Sequence, residues 1–185
     1  SPELPPVLRW LWGGWLDAAL MRLADVFLAF PRLILAIAIA AALTSGLWTA
    51  VIAIALTGWP PYARVARSEM AALRQAEFIQ AAKALGVSRL RLLLRHALPL
   101  CLPSAVVRAA LDAPGIVLIV SGLGFLGLGL PPPAPEWGAM VAEGRAIVFE
   151  AWWVSTLPGV MILLLSLGFN FLGDALRDVV DPGVK

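Results

Sequence analysis

The 185 residues are 61% hydrophobic and only 14% charged, carry a formal net charge of +2, and include one cysteine and one histidine. Soluble domains run near ~45–50% apolar and ~25% charged, so these charges are too few to cover a water-facing surface; with a mean hydropathy of +0.87, lipid must solvate much of the chain. A lone Cys101 and a lone His96 exclude a disulfide framework, a cysteine-based metal site and most zinc or His-triad chemistry, and a pI near 9.2 is too mild to argue for nucleic acid; both residues read as structural.

Residues 1–24 read as an N-terminal interfacial segment, with Trp10, Trp12 and Trp15 as an aromatic belt. SPELPPVLRW has no basic region leading into an apolar one and no small-residue cleavage site, so no cleavable signal is evident. It also lacks an initiator Met, and the expectation is a processed or truncated N-terminus. The next apolar stretch, 33–63, would be about 46 Å long as one helix at ~1.5 Å per residue, too long for one crossing. Thr44-Ser45-Gly46 interrupts it with turn-forming residues. The reading is two spans, about 25–43 and 47–66, with a single tilted helix as the alternative.

Residues 67–99 form a basic loop rich in Ala, Leu, Arg and Gln, all good helix formers. Phe78, Ala82 and Leu85 make a short apolar stripe, and Gly86 is placed to end that helix in the left-handed conformation. Ser88 is placed to cap a second helix whose Leu90, Leu93, Leu94 and Ala97 share one face, with Arg91 and Arg95 on another. Pro99 and Pro103 are expected to stop it and restart the chain into the next span. From the residues alone, the loop either lies on anionic lipid or docks a soluble partner that accepts Phe78 in a groove.

The third span covers about 104–130 and carries Arg108 and Asp112, an i, i+4 pair able to neutralise itself in part. Gly122, Gly124, Gly127 and Gly129 approach its outer end, for tight packing or for a gate. In the loop that follows, Trp137 beside Glu136 reads as an interfacial anchor. The fourth span, 151–172, has no charge and holds eleven Leu, Ile, Val or Phe residues, which favour insertion by about 3–6 kcal/mol before Pro158 and Asn170 are deducted. Asp174, Arg177 and Asp178 suit a helix end, paired within the helix.

Orientation follows from the basic residues. Arg64, Arg67, Arg74, Lys83, Arg89, Arg91 and Arg95 make up half of the 14 Lys and Arg, whereas residues 131–150 hold Arg145 against Glu136, Glu143 and Glu150. The positive-inside rule places the first loop in the cytoplasm and the second outside, and four spans then put both termini inside.

QAAKALG at 80–86 and HALP at 96–99 resemble the EAA loop of ATP-binding-cassette (ABC) importer permeases. Gln80-Ala81-Ala82 takes the triplet position, Gly86 the glycine and Leu98-Pro99 the ending, with Gln80 replacing the usual glutamate and His96 the usual aliphatic residue. DVFLAFP at 25–31, GLGFLGLGLPPPAPEWGAM at 122–140 and FNFLGDALRDVVDP at 169–182 extend the resemblance to the C-type subunits of the dipeptide, oligopeptide and nickel permease family. It covers residues 13 to 182, and the permease domain is expected over 25–182 with 183–185 as a tail. Members of that family carry two further helices ahead of the Gly13-Gly14 region, which this sequence does not include.

The resemblance implies an all-α integral membrane fold like the type I ABC importer permeases, in a bacterial or archaeal cell (inner) membrane. It implies a coupling loop in which Glu77, Phe78, Gln80, Ala81, Ala82, Gly86, Leu98 and Pro99 meet the ATPase. The implied partners are ABC ATPase subunits that bind ATP and Mg, a paralogous permease, an external solute-binding protein and membrane lipid, with no nucleic acid. It also implies that the loop of Glu136 and Trp137 faces that binding protein. The solute would be a peptide, nickel or a related small molecule, moved by alternating access. No cofactor and no catalytic role are expected in this chain: its spans offer no nucleophile with a base, paired carboxylates or metal centre, and no G-x-x-x-x-G-K-[ST] phosphate loop occurs in it. The rival reading is a membrane scaffold or a small channel protomer.

Overall fold

The computed structural model describes residues 15–180, and the regular elements among them are all helical. Trp15 opens α1 (Trp15–Leu28), while Trp10, Trp12 and the tail 183–185 lie outside the described residues. Pro31 lacks an N–H and drives the residue before it out of the helical region. The chain therefore restarts there, with Pro31 as the N-cap of α2 (Arg32–Ala41). The axes on either side of this break meet at 92°. The helix expected over 25–43 is thus not continuous. The 10 residues of α2 rise about 15 Å, half of a hydrocarbon core of about 30 Å, and α1 runs crosswise to them.

Gly46 separates α2 from α3 (Leu47–Gln75). Its φ of 155° and ψ of 172° form a combination open essentially to glycine. The Thr49 hydroxyl donates to the Thr44 carbonyl, and the Ser45 hydroxyl reaches the Gly127 carbonyl at 3.4 Å. α3 then continues to Gln75, past the expected boundary near 66, because the residues beyond Tyr62 are helix formers. Its lower half is pinned to α1 by ion pairs from Arg64 to Asp25 at 2.7 Å and from Arg67 to Asp17 at 2.9 Å, and by the edge of Phe27 against Trp59, centroids 5.7 Å apart.

After the loop come α4 (Glu77–Ala84), α5 (Arg89–Leu92) and a π turn over Leu93–Ala97. They lead into α6 (Leu98–Phe125), a short helix α7 (Trp137–Gly144) and α8 (Trp152–Val180). Two helical stretches, Leu90–Phe125 and Trp152–Val180, are each long and apolar enough to cross a membrane. A third crossing is counted if the bent α1–α2 pair is one broken span. α3 has the length, but Trp59-Pro60-Pro61-Tyr62 and the arginines after it dilute its apolar run.

Small residues hold the bundle together. Ala36 and Ala40 of α2, Ala50 and Ala53 of α3, and Ile119 and Leu123 of α6 form the buried cluster. Alanines let the helix backbones approach closely, the packing mode favoured where lipid removes the hydrophobic drive between helices. α6 and α8 make the most extensive helix pair, and α7 packs against both.

Candidate functional site

The basic loop folds as a short capped helix on a bend. α3 ends where Ala76 turns extended, with φ −63° and ψ 132°. Glu77 then stands in the first turn of α4, where a carboxylate opposes the positive helix end. At the other end Gly86 has φ +76°. The Leu85 N–H bonds the Ala81 carbonyl at 3.0 Å, and the Val87 N–H reaches back to the Ala82 carbonyl at 3.1 Å. This is the six-to-one bond of a Schellman cap. A Cβ added at Gly86 would meet nothing within 4 Å, so the backbone conformation alone demands glycine there.

The loop turns Ile79 and Leu92 inward, 2% and 1% exposed, and leaves Phe78 49% and Leu85 83% exposed. Leu90 and Leu94 are also exposed, while Ala97 is buried and Leu93 partly so. The face expected from Leu90, Leu93, Leu94 and Ala97 is therefore split. A π turn closes its backbone hydrogen bonds over five residues where an α-helix closes them over four, so a stripe projected from Leu90 at the α period does not carry through residues 93–97. Pro99 and Pro103 do not stop the chain either: residues 90–125 run as one helical stretch. The π turn falls one turn before Pro99, where an α-helix would set the proline ring against the carbonyl four residues back.

Glu77, Phe78, Gln80, Ala81, Ala82 and Gly86 come together on α4 and its cap, with Glu77, Gln80 and Ala81 exposed and Ala82 half-buried. Leu98 and Pro99, both exposed, sit instead at the start of α6 beyond the π turn. α4 packs on α3 and α5.

Inside the bundle, Asp112 is held by Arg32 and not by Arg108. The Arg32 Nη1 donates to Asp112 Oδ1 at 2.7 Å, with the two side chains 24% and 11% exposed, and the Tyr62 hydroxyl approaches the other oxygen at 3.5 Å. Arg32 lies along Gly58, whose missing Cβ would otherwise stand 2.8 Å from its Nη2. The expected Arg108–Asp112 pair does not form, and Arg108 Nε is buried without a hydrogen-bond partner. Asp174, Arg177 and Asp178 likewise form no ion pair with one another among the described residues.

In the loop after α6, the half-buried Glu136 points back into the fold. Its Oε2 accepts the Leu130 N–H at 2.8 Å, and a Cβ on Gly124 or Gly129 would collide with its carboxylate. Two of the four glycines thus form a cradle for this side chain. Gly127, at φ +76°, makes the turn beside it. Sequence reasoning marks both the glycines and Glu136, but nothing local reveals that they meet.

A bundle of helices with long apolar stretches, a bent and basic helical loop and a second, packed loop is the architecture of an integral membrane helical domain. Residues 10–185 match the family described as binding-protein-dependent transport system inner membrane component, and the chain belongs to that family. It is 46% identical over 170 residues to the probable D,D-dipeptide transport system permease protein DdpC of Escherichia coli strain K12, covering 92% of this chain and 57% of that protein. It is 44% identical over 174 residues to the dipeptide transport system permease protein DppC of Alkalihalophilus pseudofirmus, covering 94% and 57%. The glutathione transport system permease protein GsiD of Shigella flexneri serotype 5b is 44% identical over 172 residues, covering 93% and 57%. The chain therefore spans 57% of the length of these relatives.

Proposed function

We propose that this chain forms part of the translocation pathway of an ABC importer for peptides or similar small solutes. Separate ATPase subunits that bind ATP and Mg²⁺ drive it, a paralogous permease completes the pathway, and an external binding protein delivers the solute. The relatives named for dipeptides and glutathione favour a peptide-like cargo over the nickel that the broader family resemblance also allows. The assembly sits in a bacterial or archaeal inner membrane, crossing it several times.

The observation that carries this reading is the outer face of α4. Phe78 and Leu85 stand exposed on a helix whose other side is anchored by Ile79, within the segment holding half of the basic residues. Large apolar side chains presented on a cytoplasmic loop call for a protein groove, and an amphipathic helix laid into a groove is a recurrent docking mode. Closure of an ATPase dimer on ATP would move such docked helices together and reorient the spans.

The test is ATP-dependent uptake of a labelled dipeptide into proteoliposomes holding the full permease pair, the ATPase subunits and the binding protein. Phe78→Asp and Gly86→Val should leave the permease in the membrane while lowering ATPase co-purification and uptake by roughly tenfold or more, the equivalent of about 1.4 kcal/mol of lost docking energy. Uptake at wild-type rate by both variants would remove α4 from the coupling path.

A further inference from the structure

A cleft of about 250 Å³ opens between α3, α6 and α8, lined by Ser104, Arg108 and Arg177 with Val65, Leu111 and Val180. Two arginines line one space, and neither has an ion-pair partner among the described residues. Asp112, one turn from Arg108, is occupied by Arg32. Asp174 and Asp178 flank Arg177 on α8 without bridging it. Arg108 Nε is buried with no acceptor, although a buried donor normally has one. The fold thus holds a positive site with a hydroxyl at hand, apolar walls and an unmet demand for an oxyanion.

The depth of the cleft restricts the ligand. Val65 lies beside Arg64 and Arg67, and Val180 closes α8, so the cleft is at the end of the bundle that the basic loop marks as cytoplasmic. That leaflet carries the anionic lipids of the membrane, and basic pockets between membrane helices suit their headgroups. Valine and leucine walls suit acyl chains and not a free ion.

We infer that the cleft binds the phosphate of an anionic phospholipid from the cytoplasmic leaflet, with Arg108 and Arg177 clamping the oxygens, Ser104 donating to them and the chains lying along α3 and α8. A lipid held there would tie α3, α6 and α8 together below the Arg32–Asp112 bridge. Free inorganic phosphate shares the headgroup chemistry but lacks the chains.

Native mass spectrometry of the full-length permease in its assembled transporter tests this, with phosphatidylglycerol, phosphatidylcholine and inorganic phosphate titrated separately. The wild type should retain phosphatidylglycerol selectively, and phosphate should not displace it. Arg108→Gln with Arg177→Gln should weaken that retention by roughly tenfold. The Lys pair at the same positions should keep most of it, and Arg22→Gln, exposed on α1, should not change it. If the double variant fails to assemble, Arg177→Gln alone, on an exposed side chain, should still weaken retention by about threefold. Equal retention of both lipids, unchanged binding in the arginine variants, or displacement of the lipid by inorganic phosphate at matched concentration would each overturn the inference.

Discussion

Asp112 sits one helical turn from Arg108 yet bonds to Arg32, 80 residues earlier. An i, i+4 pair on one helix is visible in any sequence, whereas the partner that wins depends on Pro31 starting α2 beside α6 and on Gly58 leaving room for the guanidinium. The bridge is largely shielded from water, so removing one partner strands a charge in low dielectric. Asp112→Asn or Arg32→Gln alone should destabilise the purified permease by roughly 2–4 kcal/mol, and the double variant by less than the sum. Arg108→Gln should show no such coupling to Asp112→Asn. A double-mutant cycle on thermal unfolding midpoints decides it, and coupling at 108 instead of 32 would contradict the geometry. Gly86 is the opposite case: positive φ is so strongly a glycine conformation that the cap is legible from the residue itself.

At the level of elements, α4 and the existence of a second helix after Ser88 are legible in the sequence, and the buried face of that second helix is not. Ala-rich and Leu-rich composition between Ala76 and Gly86 is enough to mark a short helix, but Leu92 turns inward while Leu90 and Leu94 stay exposed, and the π turn at residues 93–97 breaks the helical period beyond it. Pro31 was visible in the sequence, and its consequence, a 92° bend, follows from proline's missing donor once the helix is required to continue on both sides. The loop after α6 closes on Glu136 through a contact no periodicity encodes. The sidedness of these elements has its own prediction. Single cysteines replacing Ser88 and Ala139, in a Cys101→Ala chain, should react oppositely with an impermeant maleimide in intact cells, Ala139→Cys from outside and Ser88→Cys only after permeabilisation. Labelling of both from outside would overturn the four-span topology.

For the molecule as a whole, an all-helical membrane fold follows from the long continuous apolar runs, since lipid admits only helices or closed barrels and barrel strands alternate apolar with polar residues. Family membership was legible because motif blocks spread along the chain stand in order. Which charges pair across the bundle was not, because such contacts depend on helix rotation and on glycine-sized gaps that hydropathy ignores. The proposed function requires α4 to dock the ATPase through its exposed face. The direct measurement is the reactivity of Phe78→Cys and Leu85→Cys, again in a Cys101→Ala chain, toward a soluble maleimide with and without the ATPase subunits bound to the full-length permease. Both sites should label freely in the permease alone and be protected at least severalfold in the assembly, while Ala139→Cys on the outer loop labels equally in both. Unchanged labelling of positions 78 and 85 in an assembly that binds and hydrolyses ATP would contradict docking through α4.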